Sequence, residues 1–220
     1  MCTANQPVID RQSFRLSKRC YFDKTNPKDL IVLHFTAGST ARSAFDTWRS
    51  AQNGVSAPYI VDTDGKIYET FEPAFWSFHL GVQGEPSRRW THDKRSIGIE
   101  IVNAGPLKLD GQRLLWWPRS FSTEFCKASE TAAYLQAAYR GFNYWAAFTG
   151  AQRQAVASLT ASLCRRFGIP AQLAPEAKRT QFDPGYFAAF KGIAAHQNFR
   201  PDKFDVGPAW DWKGLDMPAL

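Results

Sequence analysis

Leu30-Ile31-Val32-Leu33-His34-Phe35 is followed at once by Thr36-Ala37-Gly38-Ser39-Thr40. The first six residues form a continuous β-rich run, the pattern of a central strand covered on both faces. The next five are small and polar, so the strand stops there. Ser39 or Thr40 can cap a helix running to about Gln52, with Ala44, Phe45 and Trp48 on one face. Strand, loop and amphipathic helix in that order predict an α/β arrangement. They also place His34 at a strand end, just before a loop.

Outward from this stretch, Tyr59-Ile60-Val61-Asp62 and Lys66-Ile67-Tyr68-Glu69 flank Thr63-Asp64-Gly65, whose Asp-Gly pair predicts a hairpin. Trp76 to Gly81 is an aromatic loop that contains His79. Ser96 to Val102 is a second buried strand, with Gly98 and Glu100 on one face and the isoleucines on the other. A glutamate in so apolar a strand needs a partner or a task. Residues 106–147 read as an insertion or lid. It holds Trp116-Trp117-Pro118-Arg119 and an alanine-rich piece, Ser129 to Tyr139, that could be helical. The rings and the cation beside them suit stacking on a sugar and pairing with a carboxylate, or else anchor the insert. Thr149 and Gln152 form a capping box. It opens a helix with Val156, Leu159, Leu163 and Phe167 as its buried stripe, ended by Gly168. Residues 1–28 read as an irregular N-terminal arm, and 29–220 as one α/β domain.

The last informative stretch runs from His196 to Trp212. The apolar run Gly192-Ile193-Ala194-Ala195 ahead of it is short enough for a buried strand, so His196 also sits where a strand ends. The loop can turn back to bring Asp205 to the same metal ion as the histidine. Lys203 lies close to that carboxylate, and Gly207-Pro208 makes a rigid turn. Trp210 and Trp212 follow, as groove lining or as anchors of the last loop.

Composition sets limits. The chain has 220 residues, enough for one domain with its own core, and a net charge of +7. Such charge suits an anionic polymer, but no basic run or nucleic-acid module accompanies it, so nucleic acid is not the expected partner. Aromatic residues make up 15% of the chain, a surplus that often marks a surface for cyclic ligands. The four cysteines form no C-x-x-C pair, and Cys164 reads as a small core residue. No stretch has the length of a membrane span. The first residues lack a signal-peptide core, so synthesis as a cytoplasmic chain is expected, with any later exit left to lysis or specialised export. A monomer is expected.

His34 in Val-Leu-His-Phe-Thr-Ala-Gly, the Asp64-Gly65 hairpin, His79, Ser96-Ile-Gly-Ile-Glu100, and His196…Lys203-Phe-Asp205…Gly207-Pro208…Asp211-Trp212 occur in the order of one family. Together they resemble the zinc-dependent N-acetylmuramoyl-L-alanine amidases of type 2. The resemblance runs from about residue 30 to 212, is weak over 106–147 and is absent before residue 28. It implies a mixed central sheet with helices on both faces and a groove over one zinc ion. His34, His196 and Asp205 correspond to the three zinc ligands. Two imidazoles and one carboxylate leave a fourth position for water, as catalytic zinc requires. Lys203 corresponds to the lysine that stabilises the oxyanion, and Glu100 to the glutamate that handles the proton. His79 corresponds to a substrate contact, and Trp116, Trp117 and Trp210 are further candidates for that task. The implied substrate is bacterial peptidoglycan or a muropeptide, and the implied reaction is hydrolysis of the bond between muramic acid and L-alanine. A phage endolysin, a wall-recycling enzyme and an exported antibacterial toxin all fit. The rival reading is a receptor of the same fold that binds without cutting. Two positions depart from the family: Ala57 stands where some members carry a catalytic tyrosine, and Pro58 where histidine is frequent.

Overall fold

The elements, in a computed structural model that describes residues 6–82 and 86–215, begin with β1 (Ile9–Asp10), β2 (Leu30–Phe35), α1 (Ala41–Ala51), β3 (Tyr59–Val61) and β4 (Ile67–Glu69). They continue with α2 (Pro86–Arg95), β5 (Ser96–Ile101), β6 (Pro106–Asp110), β7 (Arg113–Trp116), the single turn α3 (Pro118–Phe121) and β8 (Thr123–Lys127). The chain closes with β9 (Tyr134–Tyr139), β10 (Phe142–Ala146), α4 (Gly150–Phe167), α5 (Pro184–Ala189) and β11 (Gly192–Ala195). The first sheet has the order β1-β4-β3-β5-β2-β11. β2 is paired in parallel with β5 on one side and β11 on the other, and the β3–β4 hairpin supplies the antiparallel pair. The sheet is therefore mixed, and β2 is interior, as its unbroken apolar run requires.

Strand alternation assigns the two faces. Ile31, Leu33, Ile97, Ile99, Ile101 and Val61 pack with Val156, Leu159 and Leu163 of α4. Leu30, Val32 and Ala194 face the other way, onto Leu80, Phe187 and Phe199. Ile60 faces the same way, onto Phe45 and Trp48 of α1. Both helix starts are where capping chemistry puts them. Thr40 Oγ1 accepts from Ser43 N, and the Thr149–Gln152 box makes both its bonds. The hairpin turn needs Gly65, which has φ +84 and lies so close to α4 that a Cβ would be 2.8 Å from the Ala151 carbonyl oxygen.

One expectation changes. The alanine-rich piece is not a helix, because Tyr134–Tyr139 is β9 and pairs with β10. Helix propensity is a weak preference, and pairing with a hydrophobic partner strand overrides it here. The whole stretch 106–147 forms a second, antiparallel sheet of order β8-β7-β6-β10-β9, with its own small core of Leu107, Leu114, Cys126 and Ala146. Residues 6–28 are mostly irregular but packed rather than detached. β1 extends the first sheet beside β4, Leu16 and Cys20 are buried, and Phe22 stacks on Trp76 at 4.0 Å. Cys20, Cys126 and Cys164 are free thiols. Among the described residues no helix is long and apolar enough to cross a membrane.

Candidate metal centre

Strand register assembles the site. His34 is the Cα partner of Glu100 across β2–β5, and Leu33 is the partner of Ala195 across β2–β11. His196, one residue beyond Ala195, therefore arrives level with His34. In parallel strands, residues at one level point to one face, and neighbouring strands lie about 4.8 Å apart. Glu100, His34 and His196 thus form a row at the carboxyl ends of three strands, where open α/β sheets bind ligands. The face is the one opposite α4. Asp205 reaches the row from the loop after β11. That loop is pinned by Gln197, whose N–H donates to the Asp205 carbonyl at 2.8 Å and whose Oε1 accepts from Gly207 N at 2.9 Å.

Three ligand atoms converge. His34 Nδ1 is 3.0 Å from His196 Nδ1 and 3.2 Å from Asp205 Oδ2, and His196 Nδ1 is 2.9 Å from the same oxygen. All three residues are buried. Partner chemistry assigns the protons. Leu80 O can only accept, so His196 Nε2 donates to it at 2.7 Å and leaves Nδ1 bare. His92 O can only accept, so Ser96 Oγ donates to it. Ser96 then accepts from His79 Nε2 at 2.8 Å, and His79 Nδ1 accepts from His34 Nε2 at 2.9 Å. His34 Nδ1 is therefore bare as well. Two lone pairs and a carboxylate oxygen pointed at one another repel unless a cation lies between them. Ligands on a tetrahedral zinc stand roughly 3.3 Å apart, within a few tenths of the spacing found. The donor set fits the metal that the sequence implies.

Electrostatics agree. Burial, and then the neighbouring His196, hold the His34 imidazole down at about 4, so it is neutral at pH 7, as a metal ligand must be. Burial alone would raise the Asp205 carboxyl, but His196 and His34 outweigh it and keep the group ionised. Among the described residues the Glu100 carboxyl makes no hydrogen bond, and its Oε2 is buried without a partner. Burial pushes its carboxyl up to about 8, Asp205 adds to the rise and Lys203 opposes it. Lys203 is half-buried. Its charge acts on both His34 and Glu100, lowering the pKa of each, and among the described residues its ammonium has no ion pair.

The remaining candidates separate. His79 does not stand free as a substrate contact, since both its ring nitrogens are used between His34 and Ser96. Gly98 makes room for it, because a Cβ there would lie 3.0 Å from His79 Nδ1. Trp210 is in the core and not on a groove wall, packed edge-on against Phe148 at 5.0 Å under the opposite sheet face. Trp116 and Trp117 do not form a pair, because Trp116 ends β7 while Trp117 turns into α3 with helical φ and ψ, and the two rings lie in different surroundings. Trp116 is half-buried and lines, with Phe125, Phe148 and Gln152, a cavity of about 340 Å³ that none of the metal-ligand candidates touches. Trp117 is 49% exposed, and its indole N–H donates to Ala37 O, in the loop after β2. Ser96 and Gln197 were missed by sequence reasoning. Both belong to quoted motifs, but only their hydrogen bonds reveal a role.

Residues 24–208 match the family model for N-acetylmuramoyl-L-alanine amidase. The chain belongs to this family. Among solved structures, the amidase-family chain is similar to AmpD, with 19% identity over 96% of this chain and 92% of that one, at a TM-score of 0.51. It is similar to the N-acetylmuramyl-L-alanine amidase AmiD from E. coli, solved with anhydro-N-acetylmuramic acid-L-Ala-D-gamma-Glu-L-Lys. That match has 20% identity, covers 95% of this chain and 64% of AmiD, and has a TM-score of 0.51. The endolysin amidase LysCS from Clostridium intestinale matches at 12% identity, 96% and 95% coverage and a TM-score of 0.50. At these identities the likeness is one of fold. A comparison with curated protein sequences finds no match.

Proposed function

We propose that this amidase-family chain is a zinc hydrolase that cuts the amide between the lactyl group of N-acetylmuramic acid and L-alanine in peptidoglycan or muropeptides. The reading is carried by three unprotonated ligand atoms of His34, His196 and Asp205, drawn to one point, with the unpartnered carboxyl oxygen of Glu100 one strand away. Zinc held there would polarise the amide carbonyl and activate water for attack. The other roles belong to the chain. Glu100, with its carboxyl raised to about 8, takes a proton from the attacking water and passes it to the leaving nitrogen, at a pH where both forms are accessible. Lys203 places a fixed positive charge where the carbonyl oxygen gains negative charge. His79 and Ser96 hold the proton on His34 Nε2, keeping Nδ1 free for the metal. The substrate class is supported by family membership and by the muropeptide in the AmiD complex.

The test is zinc content measured together with the products released from purified sacculi. One zinc per chain and release of peptides with free L-alanine amino termini are expected. Lys203→Ala should keep the zinc and lose about a hundred- to a thousand-fold in rate. Retention on sacculi with no product would sink the hydrolase and leave the receptor.

A further inference from the structure

The β9–β10 hairpin turns through Arg140-Gly141, with Tyr139 and Phe142 paired across it. Both turn residues have positive φ, +46 at Arg140 and +85 at Gly141. That is the primed two-residue turn, whose first position normally takes asparagine, aspartate or glycine, because a longer side chain is strained there. Arg140 occupies it nonetheless. Strain of this kind persists where the surroundings hold it, often at working sites. Here the guanidinium reaches out of the second sheet into the loop that bears Lys203 and Asp205. Its Nη1 donates to the Pro201 carbonyl at 2.7 Å and to the Lys203 carbonyl. No other hydrogen bond among the described residues reaches either carbonyl.

The hairpin grips the same loop at two further points. Phe204, between Lys203 and Asp205, sets its ring edge-on to Phe142 at 5.6 Å and tilted against Trp145 at 6.3 Å. Gly207 passes so close that a Cβ there would lie 3.3 Å from the Trp145 ring. From the opposite side Gln197 holds Asp205 and Gly207 by their backbones. The loop is thus held between the first sheet and the second.

We propose that Arg140 is a positioning residue. Its paired hydrogen bonds hold the loop so that Lys203 and Asp205 meet His34 and His196, and the second sheet serves chiefly as the loop's outer support. The inference rests on the amidase reading of the site. The decisive variant is Arg140→Asn, which suits the turn but cannot reach the two carbonyls. In the metal-free chain we expect an unchanged or higher Tm, together with faster amide hydrogen exchange across residues 199–206. Zinc affinity should fall about tenfold, the low end for loss of a group that orients a ligand. kcat on a soluble muropeptide should fall at least as much, with KM nearly unchanged. Arg140→Lys, which offers a point charge in place of a fork, should lie between the two. Leu135→Ser, on the exposed side of the same hairpin, should leave exchange, affinity and kcat as they are. Native exchange, zinc affinity and kcat in Arg140→Asn would overturn the proposal. So would a drop in Tm with exchange quickened throughout the hairpin, since Arg140 would then only stabilise the second sheet. If the native chain neither binds zinc nor cuts the amide, the amidase reading fails instead, and the exchange data still decide whether Arg140 holds the loop.

Discussion

Glu100 and Ser96 stand four residues apart on one strand and do opposite things with a proton. Glu100 keeps one because its surroundings cannot solvate the charge. In the metal-free protein the folded acid titrates near 8 and the unfolded acid near 4.5. Between those values the unfolded state has lost a proton that the folded state retains. Stability due to this group therefore falls as pH rises through that window and levels off above it. Glu100→Gln mimics the protonated form and removes the slope. Urea unfolding of metal-free protein should show the variant matching wild type near pH 4.5 and exceeding it at pH 8, while amide cleavage is lost. Equal pH slopes for the two proteins would contradict the raised acid. Ser96, by contrast, relays no charge. It accepts from His79 and so fixes the His34 proton on Nε2. Ser96→Ala leaves His79 Nε2 without its acceptor, and zinc affinity should drop by about ten- to a hundred-fold, read by competition with a chromophoric chelator. Native affinity would mean that the chain of bonds does not govern the ligand.

At the scale of elements, α4 does most to hold the sheet from one side, and its start is tied to the hairpin beneath. Thr149 caps the helix through Gln152 N, and its hydroxyl donates to Thr63 O at 2.7 Å. Thr149→Ala removes both bonds at an exposed position and should cost about 1–2 kcal/mol. In a domain of this size that lowers Tm by about 2–8 °C. Zinc binding should be untouched, since the metal candidates face away from α4, so a calorimetric scan with and without metal separates the two effects. Elements also mark where local reading fails. The alanines of residues 129–139 favour a helix, yet β10 beside them offers Trp145 and Tyr144, and the segment pairs as a strand. Conversely, the capping box and the Asp-Gly turn were legible because each is a local arrangement, complete within four or five residues.

For the whole molecule, the metal is expected to act as a staple. It would join residues 34, 196 and 205, ends of the chain that only the fold brings together, and a ligand that binds only the folded state stabilises it by mass action. At zinc a hundred-fold above its dissociation constant the gain is about 2.7 kcal/mol, or a Tm raised by roughly 5–10 °C for a chain of this length. Chelation should reverse the rise, and His34→Ala should show neither rise nor fall. A Tm indifferent to zinc in the native chain would argue against a centre made of these three residues.

The sequence by itself determined the layers, the central strand and the capped helix, and it picked out His34, Glu100, His196, Lys203 and Asp205 as candidates. These follow from apolar periodicity and from residue types in an ordered series, both of which are written along the chain. Tertiary structure alone decided that β5, β2 and β11 lie in parallel register, which puts Glu100, His34 and His196 in one row. It alone set the His79 ring nitrogens between His34 and Ser96, buried Trp210, parted Trp116 from Trp117, and drew Arg140 across to the Lys203 loop. The physical reason is separation along the chain. A hydrogen bond between residues 140 and 203, or a ring at 210 buried beneath the helix that ends at 167, depends on how distant segments pack, and neither propensity nor period carries that information.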